Sequence, residues 1–190
     1  MTEEQKKGIL SRIKGTTRME DLKDVDFVIE AVFEDLELKR DVFKTLDEVT
    51  GPHVILTTNT SSMSVTEIAM ATKRPEKVIG MHFFNPAPLM KLVEVIRGYY
   101  TNDETTQVVM EMSRKMGKEP VEVKKDTPGF IVNRLMIPHF LEAIRMAEEG
   151  IASIEDIDKA VKLGLNYPMG PFELMDLTGA DIALHVTEYL

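Results

Sequence analysis

The chain has 190 residues, of which 43% are hydrophobic, so it can bury the core of one or two domains. Its formal net charge of -9 argues against a nucleic-acid partner, because such proteins normally present a basic face. The absence of cysteine excludes disulfides and thiolate metal sites, and no apolar run has the roughly 18 to 20 residues that cross a bilayer. We therefore expect a cytoplasmic protein with neither nucleic-acid nor membrane partners.

The first part of the chain alternates helical and strand patterns. In chain order, apolar spacing predicts a helix over residues 3–13, a buried parallel strand over 27–32, a helix over 35–49, a strand over 54–58, and a helix over 64–72. Ser64 and Glu67 form a capping box for the third helix. This alternation indicates a parallel sheet with crossover helices, in which ligands bind beyond the carboxyl ends of the strands. Four polar residues follow strand ends: Glu34, Ser61, His82 and Asn85.

Residues 78–96 contain two apolar runs joined by a Pro-rich turn. Neither a helix nor an extended strand can continue through these prolines. A hairpin-like return places His82 beside Glu94. A neutral imidazole accepts a proton, and a carboxylate bonded to its other nitrogen fixes the tautomer and strengthens the base. The pair is a candidate for general-base catalysis. On spacing alone, the alternative is a core histidine and a solvent-facing glutamate.

The pattern becomes helical from about residue 126. Thr127 can cap a helix that has Pro128 in its first turn and runs from residue 130 to 149, with a kink expected at Pro138. Three further helices are predicted, over residues 153–163, 171–176 and 181–190. No strand pattern occurs after Val123, so the sequence predicts an α/β domain followed by an all-helical one, with the boundary between residues 119 and 127.

The sequence lacks the glycine pattern that is typical of dinucleotide-binding enzymes. A dinucleotide enzyme normally carries G-x-G-x-x-G after its first strand, because these glycines let the backbone approach a pyrophosphate at a helix N-terminus. None of the 11 glycines falls in that pattern, and the acidic residue that would hold the ribose hydroxyls is missing with it. The sequence alone therefore predicts weak binding of a dinucleotide.

Five multi-residue motifs occur in a fixed order along the chain. They are Asn59-Thr60-Ser61-Ser62, Met81-His82-Phe83-Phe84-Asn85-Pro86, Lys91-Leu92-Val93-Glu94-Val95-Ile96, Pro128-Gly129-Phe130-Ile131-Val132-Asn133-Arg134 and Tyr167-Pro168-Met169-Gly170-Pro171-Phe172-Glu173-Leu174. In this order and spacing they resemble the L-3-hydroxyacyl-CoA dehydrogenase family, most of all its short-chain 3-hydroxybutyryl-CoA members. The resemblance extends from about residue 9 to the end.

The resemblance implies an incomplete, doubly wound Rossmann-type domain followed by an all-α domain. Residues 1–122 would form the NAD-binding domain without its first β-α-β unit. Residues 123–190 would form a helical domain for substrate binding and dimerisation, incomplete at its C-terminus. We expect the chain to be truncated relative to the family at both ends, and a homodimer to form through the helical domain.

The resemblance also implies a reaction, the transfer of a hydride between (S)-3-hydroxyacyl-CoA and NAD, with NADP as the alternative cofactor and no metal. His82 would be the acid/base group and Glu94 would orient it. The hydroxyl of Ser61 would reach substrate and nicotinamide, and Asn133 would bond the substrate's oxygens. The structural alternatives are a local turn bond for Ser61, and an exposed or helix–helix bonded amide for Asn133.

Three further residues match family positions that contact the nicotinamide half of NAD: Glu34, Lys39 and Asn85. Without the motif, the first two would be read as solvated charges at a helix start, and Asn85 as a turn initiator. The motif at 167–174 is interpreted as a structural turn and helix start. Two different functions stay open, a catalytically idle structural or binding relative and an inactive fragment without the phosphate loop.

Overall fold

The computed structural model describes residues 1–179, so the helix expected over 181–190 lies outside the described residues. Five strands form one sheet: β1 (Phe27–Glu30), β2 (Ile55–Thr58), β3 (Val78–Phe83), β4 (Leu92–Ile96) and β5 (Glu119–Val123). Seven α-helices are described: α1 (Glu3–Leu10), α2 (Leu36–Val49), α3 (Val65–Ala69), α4 (Asp103–Lys115), α5 (Val132–Glu148), α6 (Ile154–Leu165) and α7 (Pro171–Thr178). Short 3₁₀ turns occupy Met19–Leu22 and Pro75–Lys77.

The sheet has the strand order β1-β2-β3-β4-β5. β1, β2 and β3 are mutually parallel, β4 is antiparallel to β3, and β5 is parallel to β4. The predicted return of the chain between β3 and β4 is therefore confirmed, and its register makes His82 and Glu94 direct partners. Because β4 is reversed, the edge that carries the carboxyl ends of β1, β2 and β3 also carries the start of β4.

The sheet is buried on both faces. On one face, Phe43 and Leu46 of α2 and Ile68 of α3 pack against Leu56 and Val78. On the other face, side chains from four strands and α4 form a second cluster, whose buried members are Ile55, Ile79, Met81, Val93, Val95 and Val109. Burial on both faces explains why these strands read as continuous apolar runs in the sequence.

The first predicted strand differs from expectation. β1 ends at Glu30 instead of residue 32 because the backbone N–H of Val32 turns back to donate to the Glu30 carboxylate, 2.6 Å away. β1 is parallel as predicted, but it lies at the edge of the described sheet and leaves Ile29 42% exposed, so it is only partly buried. α1 and α3 are also shorter than predicted and end at Leu10 and Ala69.

The helix α4 is absent from the predicted elements. Asn102 caps it by accepting a hydrogen bond from the backbone N–H of Thr105 at 2.7 Å. Its buried face is largely polar and includes Thr105, Thr106 and Ser113 beside Val109. Because polar side chains fill most of the buried face, an apolar pattern alone does not mark this segment as a helix.

The helical domain follows the loop 124–131, which contains neither helix nor strand. β5 thus ends one residue beyond the predicted limit of the α/β domain at 122. The expected helix start at Thr127 and Pro128 is wrong, since α5 begins at Val132 and no side chain at its N-cap position, Ile131, caps it. α5 continues through Pro138.

The motif at 167–174 is a structural junction between α6 and α7, as interpreted from the sequence. The buried Asp158 of α6 accepts hydrogen bonds from the backbone N–H groups of Phe172 and Glu173, at 2.8 and 3.0 Å, and so caps α7. A Cβ at Gly170 would lie 2.3 Å from the Asp158 carboxylate, which explains the glycine. A hydrogen bond from Lys162, helped by one from the backbone of Gly170, lowers the pKa of Glu173.

No helix within residues 1–179 is long and apolar enough to span a membrane.

Replacing Asp158 with alanine is expected to destabilise the helical domain. Two backbone donors at the start of α7 would lose their acceptor, which should lower the free energy of unfolding by about 2–3 kcal/mol. Urea denaturation followed by circular dichroism measures the change. Glu155→Ala, in the exposed first turn of the same helix, is the matched control, and equal stability of the two variants would contradict the capping role.

Candidate active site

The His82–Glu94 pair lies in the interior of the protein. Nδ1 of His82 is 2.8 Å from Oε2 of Glu94, and the residues are 4% and 1% exposed. The imidazole ring packs beside two phenyl rings, with centroid distances of 4.6 Å to Phe84 and 5.6 Å to Phe130. Within residues 1–179 no group hydrogen-bonds Nε2 of His82. A neutral His82 that donates from Nδ1 therefore presents an unshared electron pair at Nε2.

The second oxygen of Glu94 faces the helical domain. Oε1 accepts the backbone N–H groups of Ile131 and Val132, at 3.1 and 3.0 Å, where α5 begins. The carboxylate thus supplies the cap that the sequence of α5 lacks. Since all its hydrogen-bond partners can donate, and since a helix N-terminus favours negative charge, the buried carboxylate is compensated in its ionised form.

Ser61 and Asn133 meet across the two domains. Nδ2 of Asn133 donates to the backbone carbonyl of Ser61 at 3.3 Å, and the backbone N–H of Ser61 donates to Glu34 at 2.8 Å. The backbone of Ser61 is therefore held on both sides, whereas its hydroxyl has no hydrogen-bond partner in the described part of the chain. Asn133 is buried, and among residues 1–179 its side chain bonds no other helix, so neither structural alternative considered for it is observed there.

A buried ionic cluster lies beneath the Ser61 turn. Nζ of Lys39 is 2.9 Å from a Glu30 oxygen and 3.3 Å from a Glu34 oxygen, and the side chains of Lys39 and Glu30 are each 1% exposed. Glu30 also accepts the hydroxyl of Thr58 at 2.7 Å, and Glu34 accepts the hydroxyl of Thr60. Lys39 is thus neither solvated nor at the surface. Its ammonium group holds the two carboxylates together, and Glu34, with its side chain 28% exposed, is the least buried of the three residues.

Asn85 is separate from this arrangement. It is exposed in the loop after β3, where the Asn85–Pro86 peptide bond is cis, and it forms no side-chain hydrogen bond among residues 1–179. The end of β3 is instead fixed by Asn59, whose side-chain oxygen accepts the backbone N–H of Phe83 at 2.8 Å.

The structure brings together five of the predicted site residues, Ser61, His82, Glu94, Asn133 and Glu34, at the junction of the sheet and the helical domain. Three contributors were not predicted as site residues. Phe130 packs on His82, Asn59 fixes the strand end beside it, and Glu30 anchors Lys39. A signal for Glu30 did exist, because a charged residue inside an apolar strand requires a buried partner. No local signal marks Phe130.

This junction combines the imidazole of His82, whose Nε2 is free to accept a proton, with the free hydroxyl of Ser61 and the buried amide of Asn133. Such a set can remove a proton from a hydroxyl group and bond to an adjacent oxygen. Within the described residues no group of three or more side chains suited to a metal ion converges.

Residues 1–127 match the family described as "3-hydroxyacyl-CoA dehydrogenase, NAD binding domain", and residues 129–190 match "3-hydroxyacyl-CoA dehydrogenase, C-terminal domain". The chain is 55% identical to the 3-hydroxybutyryl-CoA dehydrogenase of Clostridioides difficile, over 96% of this chain and 64% of that protein. It is 51% identical to the human mitochondrial hydroxyacyl-coenzyme A dehydrogenase, over 86% of this chain and 52% of that protein.

Among solved structures, the crystal structure of (S)-3-hydroxybutyryl-CoA dehydrogenase from Ralstonia eutropha superposes with a TM-score of 0.95 at 48% identity, covering all of this chain and 66% of that one. The chain therefore spans slightly less than two thirds of the length of the bacterial relatives named here.

Replacing Lys39 with methionine tests the ionic cluster. The change leaves Glu30 and Glu34 without their cation, and we expect a loss of about 3–5 kcal/mol in the free energy of unfolding, as for a broken buried ion pair. Urea denaturation of the variant measures the loss.

Lys44→Met, on the exposed face of the same helix, is the control and should change stability little. The double variant Glu30→Gln/Lys39→Met should recover part of the loss, because it removes one uncompensated charge. Strictly additive effects would show that Glu30 and Lys39 are not coupled.

Proposed function

The chain belongs to the 3-hydroxyacyl-CoA dehydrogenase family, and on that premise we propose that it carries the acid/base site of an enzyme that transfers a hydride between (S)-3-hydroxybutyryl-CoA and NAD, giving the 3-oxoacyl-CoA. One observation carries the proposal. His82 is bonded through Nδ1 to a buried carboxylate and keeps Nε2 without a partner in the described chain.

In the oxidative direction, His82 Nε2 takes the proton of the substrate's 3-hydroxyl group as the hydride leaves the same carbon. Glu94 stays ionised, keeps the imidazole in the Nδ1–H tautomer and stabilises the imidazolium that forms. In the reductive direction the imidazolium returns the proton to the carbonyl oxygen. The phenyl rings of Phe84 and Phe130 exclude water from the ring faces of His82.

Ser61 and Asn133 are proposed to bind the oxygens of the substrate. The Ser61 hydroxyl is free to donate, and its backbone is fixed by Glu34 and Asn133. The amide of Asn133 has a second N–H and an oxygen to offer. Because these groups come from different domains, a substrate placed at His82 would contact both.

The described residues fit one half of NAD. Glu34 and the Ser61 hydroxyl lie at the carboxyl ends of parallel strands, where nicotinamide rings bind in doubly wound sheets, and NAD supplies the hydride acceptor there. Lys39 is proposed to act through Glu34 because its ammonium group is buried. The exposed Asn85 is proposed to contact the same half. The chain has no glycine-rich loop for the pyrophosphate.

An idle structural or binding relative is the second candidate function, because the same fold can carry different functions. The retention of Ser61, His82, Glu94 and Asn133 together favours the enzyme. We accordingly propose a coenzyme A thioester as the substrate and the cytoplasm as the location.

The His82→Gln variant tests the acid/base assignment. Addition of acetoacetyl-CoA and NADH to the purified chain is expected to give oxidation of NADH, and the variant is expected to be slower by about 10²–10⁴-fold, the contribution of one acid/base group. Nicotinamide absorbance measures the rate.

His53→Gln, an exposed histidine before β2, is the matched control and should retain the rate. Near-normal turnover of His82→Gln would remove His82 from the mechanism. A chain that is folded by circular dichroism, yet neither binds nor oxidises NADH, would instead favour the inactive fragment or the idle relative.

A homodimer through the helical domain is also proposed, because this domain exposes large apolar side chains. Leu163 is 77% and Leu177 is 68% exposed. Leu163→Asp/Leu177→Asp is expected to convert a dimer to a monomer in sedimentation velocity, since each change buries a charge in the interface. Leu89→Asp, equally exposed but in the sheet domain, should leave the dimer intact. A monomeric native chain would contradict the proposal.

A further inference from the structure

The turn that enters the helical domain has an unusual backbone. Gly129 and Phe130 both have positive φ angles, 72° and 50°. Glycine adopts this left-handed region freely, whereas a bulky residue does so at a cost in energy, because its Cβ crowds the backbone. Such outliers persist where the surrounding structure holds them, and they occur often at functional sites. The left-handed conformation of Phe130 must therefore be stabilised by its contacts with the rest of the protein.

The consequence of this turn appears in the next two residues. The left-handed pair reverses the chain so that the N–H groups of Ile131 and Val132 both point at Oε1 of Glu94, at 3.1 and 3.0 Å. Consecutive N–H groups that converge in this way form an anion-binding concavity. The anion here is a side chain of the sheet, 37 and 38 residues earlier in the sequence.

The phenyl ring of Phe130 packs against the sheet. It is 3% exposed and packs with Val65, Ile96 and Val123, while its edge meets the ring of His82. Phe130 thus contacts one member of the acid/base pair with its side chain and directs two donors at the other member with its backbone. Gly129 or Ile131 alone could not do both.

We propose that Phe130 is a positioning residue of the acid/base pair, and that its left-handed backbone makes the Nδ1–H form of His82 depend on docking of the helical domain. With the donors in place, Glu94 is a fully compensated carboxylate that accepts from Nδ1. Without them, Oε1 would lose the two donors that hold the carboxylate in place, and Oε2 would no longer be fixed where it accepts from Nδ1 of His82. The catalytic meaning of this coupling rests on the proposed function.

Nitrogen-15 NMR of the imidazole groups in the 190-residue chain tests the proposal without any turnover. The signals of His82 are assigned by their loss in His82→Gln. We expect the native chain to show His82 as the Nδ1–H tautomer at a pH where it is neutral. In Phe130→Val, whose branched side chain disfavours the left-handed region, the population should move towards the Nε2–H tautomer.

Two variants separate the backbone from the ring and from general damage to the core. Phe130→Gly keeps the left-handed turn without the ring, and it should retain the Nδ1–H tautomer. Phe140→Val removes a buried ring from α5, away from Glu94, and this variant should also retain the Nδ1–H tautomer. An unchanged tautomer in a folded Phe130→Val protein, or its loss in a folded Phe130→Gly protein, would overturn the proposal.

Glu94→Gln decides the question if Phe130→Val does not fold. The amide proton signals of Ile131 and Val132 should move upfield in this variant, because hydrogen bonds to a neutral amide are weaker than those to a carboxylate. Unchanged amide signals would overturn the proposal. An inactive chain with the expected signals would contradict only the proposed function, and an active chain without them would contradict only the coupling.

Discussion

One buried carboxylate organises this molecule. Glu94 joins β4 to β3 through His82 and joins the sheet to the helical domain through the first N–H groups of α5. A carboxylate removed from water is unfavourable unless every acceptor position is used, so the strand register, the turn at Gly129 and Phe130, and the start of α5 must all be correct together. A single electrostatic requirement therefore connects the fold to the chemistry.

The buried ionic cluster beneath the Ser61 turn follows the same principle, because its opposite charges compensate one another inside the protein. Lys39 compensates Glu30 and Glu34, and Glu34 in turn holds Thr60 and the backbone of Ser61. The groups that would meet a substrate are thus supported by a rigid second layer. Such preorganised polar groups need little rearrangement when charge develops in a reaction.

Much of this arrangement could be predicted from the sequence, and the exceptions have a common cause. The pairing of His82 with Glu94 was accessible because two apolar runs and a Pro-rich turn determine a local return of the chain. The start of α5 was predicted wrongly at Thr127, since its true cap is a side chain 37 residues away. Similarly, Lys39 is compensated by Glu30, which lies in another element. Its own position near a helix start therefore indicated a solvated charge. Local patterns do not report such long-range compensation.

The reversal of strand direction between β3 and β4 makes the pairing of His82 with Glu94 depend on a single strand register. Side chains alternate between the two faces of a strand, and Val93 and Val95, on either side of Glu94, are fully buried against the α4 face. A shift of β4 by one residue would bring a valine to His82 and would force Glu94 into the apolar layer. A chain that misaligned His82 and Glu94 would therefore also fail to form its core, so the strand register that builds the core is the one that pairs these two residues.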